Sequence, residues 1–268
     1  MLKDITLGQY FPGDTPVHKL DPRTKIVLTV VYIAAIFMVG SWGGYALCFA
    51  ALAAVMAISH IRPRALIKGL KPLVFIICFT AILNLFFTTG DDILFRWGVL
   101  KVTYTGLERA IAMVLRVLLL VSGTFLLTFT TSPLAITDGL EKLLSPLKKL
   151  RVPVYELSLM MCIALRFIPT LIEETDRIMS AQKARGADLE TGTLTERAKA
   201  LLPLLIPLFV SAFRRADELA LAMECRCYNG GEGRTRMKQL HMAARDAVAF
   251  ALGALLVALI LLLRRLGI

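Results

Sequence analysis

The residues of this 268-residue chain whose types and spacing best suit action on another molecule are two arginines. They are Arg185 in Ala184-Arg185-Gly186 and Arg226 in Cys225-Arg226-Cys227, 41 positions apart. Each closes a stretch with helical periodicity. Ile168, Leu171, Ile172, Thr175, Ile178, Met179 and Gln182 recur at steps of three and four, with Glu173, Glu174, Asp176, Arg177 and Lys183 on the remaining surface and Glu173 spaced to pair with Arg177. A second stripe runs through Phe209, Phe213, Ala216, Ala220 and Met223, beside the pair Arg214 and Glu218. Superposing the two arginines puts Asp176 on Asp217 and Ala181 on Ala222, and Gly186 is a helix-stop signal after the first. A guanidinium is a rigid donor fork that keeps its charge when partly desolvated. Twin arginines beside small residues therefore suit docking to carboxylates in two equivalent grooves of another protein. The plainer alternative is that each cation complements the negative end of its own helix, and the pairing of the two favours docking.

Other chemistry is missing. No Gly-x-x-x-x-Gly-Lys-Ser/Thr phosphate loop occurs, and Gly230-Gly231-Glu232-Gly233-Arg234-Thr235 has neither its spacing nor its lysine, so the chain is not expected to hydrolyse ATP. His18, His60 and His241 stand far apart, Cys225-x-Cys227 has no second ligand pair, and no Ser/His/Asp set suggests itself; no metal, cofactor or catalytic residue is expected. The five cysteines, Cys48, Cys78, Cys162, Cys225 and Cys227, show no pairing pattern and read as reduced small hydrophobes. The formal charge of +11 fits a membrane surface better than nucleic acid, because no aromatic-basic stripe offers base stacking.

The elements that must position the arginines follow from how charge is segregated. The chain is 57% hydrophobic, above the roughly 45–50% of soluble domains, yet carries 31 basic and 20 acidic residues. Ile26 to Ser59 contains no charge, and its 34 residues make two spans turned at Gly40-Ser41-Trp42-Gly43-Gly44. Further spans run from Pro72 to Gly90, from about Ala110 to Thr131 around Arg116, and from Ala247 to Leu263. Arg116 is expected to snorkel to the outer interface. Polar residues before Ile26, including Pro12, Asp14, Pro16, Asp21 and Pro22, do not fit a removable signal, so the arm is expected to stay. Arg62, Arg64, Lys68 and Lys71 follow the second span without an acid, which places that loop and the N-terminus in the cytoplasm. Asp91, Asp92, Arg96, Lys101, Glu108 and Arg109 balance to zero and suit an outer loop, with Ile93 to Thr103 as a small hairpin. Arg234, Arg236, Lys238 and Arg245 outweigh Arg264 and Arg265 and send the last span outward.

Ser132 to Met242 holds 16 of the 31 basic and 13 of the 20 acidic residues. Within it Leu201 to Phe213 is unbroken apolar sequence, too short to span and too apolar to face water, and its Pro203-x-x-x-Pro207 pair bends a close-packing helix. The expected fold is all-α: a polytopic membrane protein of about five transmembrane helices with a cytoplasmic domain of amphipathic helices. Its segments are an arm and four membrane helices over 1–131, the cytoplasmic domain over 132–242 and a last membrane helix over 243–268.

Read together, Tyr10-x-Pro12, His18-x-Leu20-Asp21-Pro22-Arg23-x-Lys25, Arg166-Phe167-Ile168-Pro169, Ala184-Arg185-Gly186 and Ala222-Met223-Glu224-x-Arg226 closely resemble the transmembrane T component of energy-coupling factor transporters, of the type shared among several substrate-binding proteins. The resemblance covers essentially the whole chain. It implies a non-catalytic subunit in the cell membrane of a prokaryote, joining two ATP-binding cassette ATPases to an interchangeable membrane-embedded S component for vitamin or micronutrient uptake. It also implies that Ala184, Arg185 and Gly186, and Cys225, Arg226 and Cys227, dock into one ATPase each. ATPase closure would then move the arginine tips, and the helices would pass that motion to an S component held at Pro203, Leu204, Pro207 and Leu208. The second site departs from the family pattern by placing cysteines where Ala and Gly stand, and Gly230 or Gly231 is expected to supply the lost turn freedom. The Leu20-Asp21-Pro22-Arg23 turn is expected to be structural, fixing how the arm enters the first span. An ordinary cassette permease would carry a Glu-Ala-Ala-x-x-x-Gly loop, and none is present. A membrane enzyme would need converging polar groups, and only Asn84, Arg116 and scattered hydroxyls lie in the spans.

Overall fold

The computed structural model describes residues 10–88, 93–97, 100–187, 193–231 and 239–266. Apolar blocks too long for water become helices: α1 (Pro22–Met38), α2 (Trp42–Ser59), α3 (Pro63–Leu70), α4 (Val74–Phe87), α5 (Tyr104–Thr130), α6 (Pro133–Leu144), α7 (Val154–Ala184), α8 (Leu194–Glu224) and α9 (Ala244–Leu266). The only strands among the described residues, β1 (Ile93–Trp97) and β2 (Leu100–Thr103), pair antiparallel, Trp97 opposite Leu100, as the expected small hairpin. The fold is otherwise helical. Asp91, Asp92, Gly98, Arg234, Arg236 and Lys238 lie outside the described residues.

By length and composition, five helical stretches among the described residues could cross a membrane: α2, Pro63–Phe86, α5, α7 and α9. This set differs from the five spans read from sequence. At 17 residues α1 reaches about 25 Å, a little under the roughly 30 Å of a hydrocarbon core. Helix α7 enters because its first half is apolar around only Glu156 and Arg166, whereas the periodicity that gave it away lies in its charged second half.

The chain divides into two compact units. One joins Gly8–Leu140 to Leu240–Ile268, so the last helix returns to the first ones. There α1 packs on α5 and α9, and α2 on the same two helices. Their shared core holds Ile36, Cys48, Leu119, Phe129 and Ile260, all essentially inaccessible. Gly123 of α5 lets α1 approach closely, for a Cβ there would lie 2.5 Å from the Tyr32 ring. Arg116 donates to the Tyr45 hydroxyl at 3.0 Å and to the Val39 carbonyl, the C-cap of α1, at 3.4 Å. One terminal nitrogen of the guanidinium thus caps a helix end beside the Gly40–Gly44 turn, which offsets part of the cost of an arginine in an apolar span.

The arm is held by a connected set of polar contacts. Phe11 donates its N–H to the Phe129 carbonyl at 3.0 Å, and their rings meet edge to face. Lys25 sends its ammonium to the carbonyls of Thr130 (2.9 Å) and His18 (3.1 Å). Two carbonyls at the end of α5 that have no helical donor are thereby satisfied by the arm and α1. The neutral His18 ring donates from Nε2 to the Phe11 carbonyl (3.1 Å) and accepts at Nδ1 from the Thr15 hydroxyl (2.6 Å). Asp21 caps α1, accepting from the Arg23 N–H at 2.9 Å, and Pro22 fills the first helical position. The Asp21 N–H donates to Asp246 Oδ1 of α9 at 2.9 Å, and Asp246 Oδ2 accepts from the Ala243 N–H at 2.8 Å. The Leu20-Asp21-Pro22-Arg23 turn is therefore structural, and its partner is a residue 225 positions away.

Candidate functional site

The second unit, Glu141–Gln239, is built on α7 and α8, 31 residues each. Both helices begin well before the stripes that betrayed them. Helix α8 opens with a capping arrangement in which the Thr193 N–H donates to Glu196 Oε2 at 2.9 Å. These bonds from Thr193 hold the exposed Glu196 carboxyl below the usual carboxylate range.

The two helices pack on each other and run antiparallel: Gln182 of α7 reaches Pro203 of α8, while Glu174 meets Arg215 farther along. The first contact follows from sequence chemistry. Pro207 has no N–H, so the Pro203 carbonyl four residues earlier has no helical donor, and the Gln182 side-chain amide donates to it at 3.4 Å. Arg215 donates to Glu174 Oε2 at 3.1 Å, an ion pair between the helices that the within-helix spacings did not anticipate.

Both helices end in the same way. After α7, Gly186 takes φ +83° and donates to the Lys183 carbonyl, while Ala187 donates to Gln182. After α8, Cys227 takes φ +55°, donating to the Glu224 carbonyl, and Tyr228 donates to Met223. Each is the paired 5→2 and 6→1 arrangement of a Schellman cap. Arg185 and Arg226 therefore occupy the same capping position, with the left-handed residue immediately after. The expectation that Gly230 or Gly231 would replace the missing glycine is corrected here: Cys227 itself turns left-handed, and Gly230 (φ +80°) comes three residues after the stop. Gly231 instead lies against Tyr155, in the first turn of α7, where a Cβ would come within 2.3 Å of the ring.

Ala184, Arg185, Gly186, Cys225, Arg226 and Cys227 are all exposed. The cysteines are free, and Cys225 and Cys227, like Cys78, are not the buried small hydrophobes their apolarity suggested. Arg185 sits about one turn beyond the Gln182–Pro203 contact, and Arg226 lies 23 residues along α8 from Pro203, about 35 Å at 1.5 Å per residue. The two guanidinium groups thus stand at opposite ends of the helix pair. Between them, Pro203 and Pro207 are exposed, Leu208 is half-buried and Leu204 is buried. The open apolar surface of α8 is carried by Leu201, Leu202, Ile206, Phe209, Val210 and Phe213. No single residue type betrayed Leu204 as inward-facing, because the whole stretch is apolar.

Comparison with known proteins finds similarity along nearly the full chain. The family described as "Cobalt transport protein" (CbiQ) matches residues 13–237. The chain is 52% identical over 265 residues to the "Energy-coupling factor transporter transmembrane protein EcfT" of Clostridium kluyveri, covering 98% of each chain. It is 50% identical over 246 residues to the protein of that name from Heliobacterium modesticaldum, covering 92% of each. With that of Bacillus subtilis it shares 47% identity over 264 residues, 98% of this chain and 100% of the relative. A helical membrane protein matched end to end at this level belongs to the EcfT family, the transmembrane T components of energy-coupling factor transporters.

Proposed function

We propose that this chain is a non-catalytic coupling subunit, in which Arg185 and Arg226 each dock into one of two ATP-binding cassette ATPases. The exposed apolar face of α8 around Pro203 and Pro207 holds an S component. Residues 132–242 form the cytoplasmic coupling domain, residues 1–131 and 243–268 the membrane part, and the N-terminus is cytoplasmic. The observation that carries this reading is the pair of matching caps: two exposed guanidinium groups, 41 positions apart, presented by the same backbone turn at opposite ends of one helix pair. ATPase closure changes the distance between two acceptor grooves, and a rigid pair of antiparallel helices gripped at both ends converts that change into tilting of its apolar face. Substrate choice, among vitamins or other micronutrients, rests with the S component.

The test is co-purification from membranes with both ATPases for the wild type, Arg185→Ala, Arg226→Ala and the double variant. Loss of one partner from a desolvated pair costs about 3–5 kcal/mol. Each single variant is therefore expected to weaken assembly by about two to four orders of magnitude, and the double variant to lose both ATPases. A double variant that stays folded and retains its ATPases and its uptake activity removes the arginines from the mechanism.

A further inference from the structure

A second feature lies in the unit that joins Gly8–Leu140 to Leu240–Ile268. Where α2 ends, a cavity of about 630 Å³ opens between the arm and α3, within the roughly 300–1,000 Å³ range of small-molecule sites. Arg62, Arg64 and Lys68 line it together with His18, Ser59 and His60, and no acidic residue does. None of the three cations has a hydrogen-bond or ion-pair partner among the described residues. Like charges gathered without counter-charge repel one another and are stabilised by a bound anion. Helix α3 begins here without a side-chain cap, so its positive end adds to the same field.

Two observations say what kind of anion. Helix α3 is amphipathic: Arg64 and Lys68 are exposed on one side while Leu66 is buried on the other, the pattern of a helix lying at a membrane boundary. A second cavity, of about 310 Å³ and almost wholly apolar, runs among α1, α2, α5 and α9. The two are lined by consecutive residues at two places, Val17 with His18 and Ile58 with Ser59. A soluble anion has no use for the apolar cavity, whereas a membrane phospholipid offers a phosphate for the first and an acyl chain for the second.

We infer that this corner binds one anionic phospholipid, its phosphate held by Arg62, Arg64 and Lys68 and an acyl chain lying in the apolar cavity beside α1 and α2. The bound lipid bridges the arm to the α2–α3 corner and neutralises the cluster. Which leaflet supplies it follows from the orientation proposed above; the binding chemistry does not depend on it.

The experiment is native mass spectrometry of the full chain released from nanodiscs of equal phosphatidylglycerol and phosphatidylcholine. The wild type is expected to retain one phosphatidylglycerol in at least tenfold preference. Interfacial charges contribute about fivefold each, so Arg62→Gln/Arg64→Gln/Lys68→Gln is expected to bring the preference near parity. Arg64→Gln alone, at an exposed side chain without contacts, is expected to lower it about fivefold and guards against a triple variant that fails to fold. A control triple, Lys148→Gln/Lys149→Gln/Arg151→Gln, is expected to change nothing. Equal retention by the wild type and both cavity variants overturns the inference. Displacement of the lipid by millimolar glycerol 3-phosphate overturns it in favour of a soluble-anion site. Loss of the lipid whenever the chain is purified with its transporter partners, with Arg64 crosslinking to one of them, overturns it in favour of a protein interface.

Discussion

Replacing Asp246 with alanine is expected to loosen the membrane unit at the junction of its first and last segments. The carboxylate is 2% exposed and accepts two backbone hydrogen bonds, from Asp21 N–H at 2.9 Å and Ala243 N–H at 2.8 Å. Hydrogen bonds to a charged group contribute about 1.5–3 kcal/mol each, and removing the acceptor leaves the Asp21 N–H buried without a partner. The expected loss is about 3–5 kcal/mol. At roughly 2–4 °C per kcal/mol for a chain near this size, the thermal midpoint in detergent falls by about 10 °C. Asp246→Asn separates this account from a general intolerance at the site. An amide keeps one acceptor oxygen but presents a donor to the second N–H, so the loss should be about half that of alanine. The midpoints are read by size-exclusion chromatography of heated samples, which follows the folded monodisperse fraction directly. An alanine variant within 0.5 kcal/mol of the wild type, or an asparagine variant as damaged as alanine, refutes the reasoning.

Other outcomes follow from the same physical arguments. Cys227 holds a left-handed conformation that costs a side-chain-bearing residue on the order of 1 kcal/mol, so Cys227→Gly should raise stability slightly with ATPase docking unchanged, while Gly186→Ala should lower it; thermal midpoints of the two variants should move in opposite directions. The pair Glu174 and Arg215 is partly exposed, at 22% and 37%, and a double-mutant cycle with Glu174→Gln and Arg215→Gln should give a coupling of roughly 0.5–1 kcal/mol. His18 is held below its ordinary value of about 6.5, first by burial and next by the Lys25 ammonium, against the opposing pull of the Phe11 carbonyl and Asp14. The folded arm thus favours the neutral ring; its contribution is complete above about pH 6.5 and is lost as the pH falls through the lower folded value. Limited proteolysis of the arm should accelerate on acidification in the wild type and change less in His18→Gln.

Much of the fold was legible because membrane insertion writes itself into sequence as uncharged blocks, and turns and caps as local residue types. The α1–α2 turn, the β1–β2 hairpin, the Asp21-Pro22 start of α1 and the stop at Gly186 all rest on such local signals. What the sequence did not give up was non-local or uniform. The first half of α7 is apolar apart from Glu156 and Arg166, too few polar positions for a periodicity to mark it. Gln182 finds the Pro203 carbonyl only because another helix lies alongside, and neither residue announces the other. The left-handed turn at Cys227 runs against residue preference and is set by the cap geometry as a whole. At the candidate site the two arginines could be found from spacing alone, whereas their placement at opposite ends of the pair required knowing that α7 and α8 are antiparallel.

The hydrogen bond from Asp21 to Asp246 also orders events during synthesis. Its two residues are 225 positions apart, and at about 5–20 residues per second the ribosome needs roughly 10–45 s to travel between them. Throughout that interval the first membrane helix exists while the amide ahead of it still lacks the acceptor it has in the folded protein. Lys25 waits less, since the Thr130 carbonyl emerges 105 residues later. The entry to α1 thus gains its last contact only when α9 has been made.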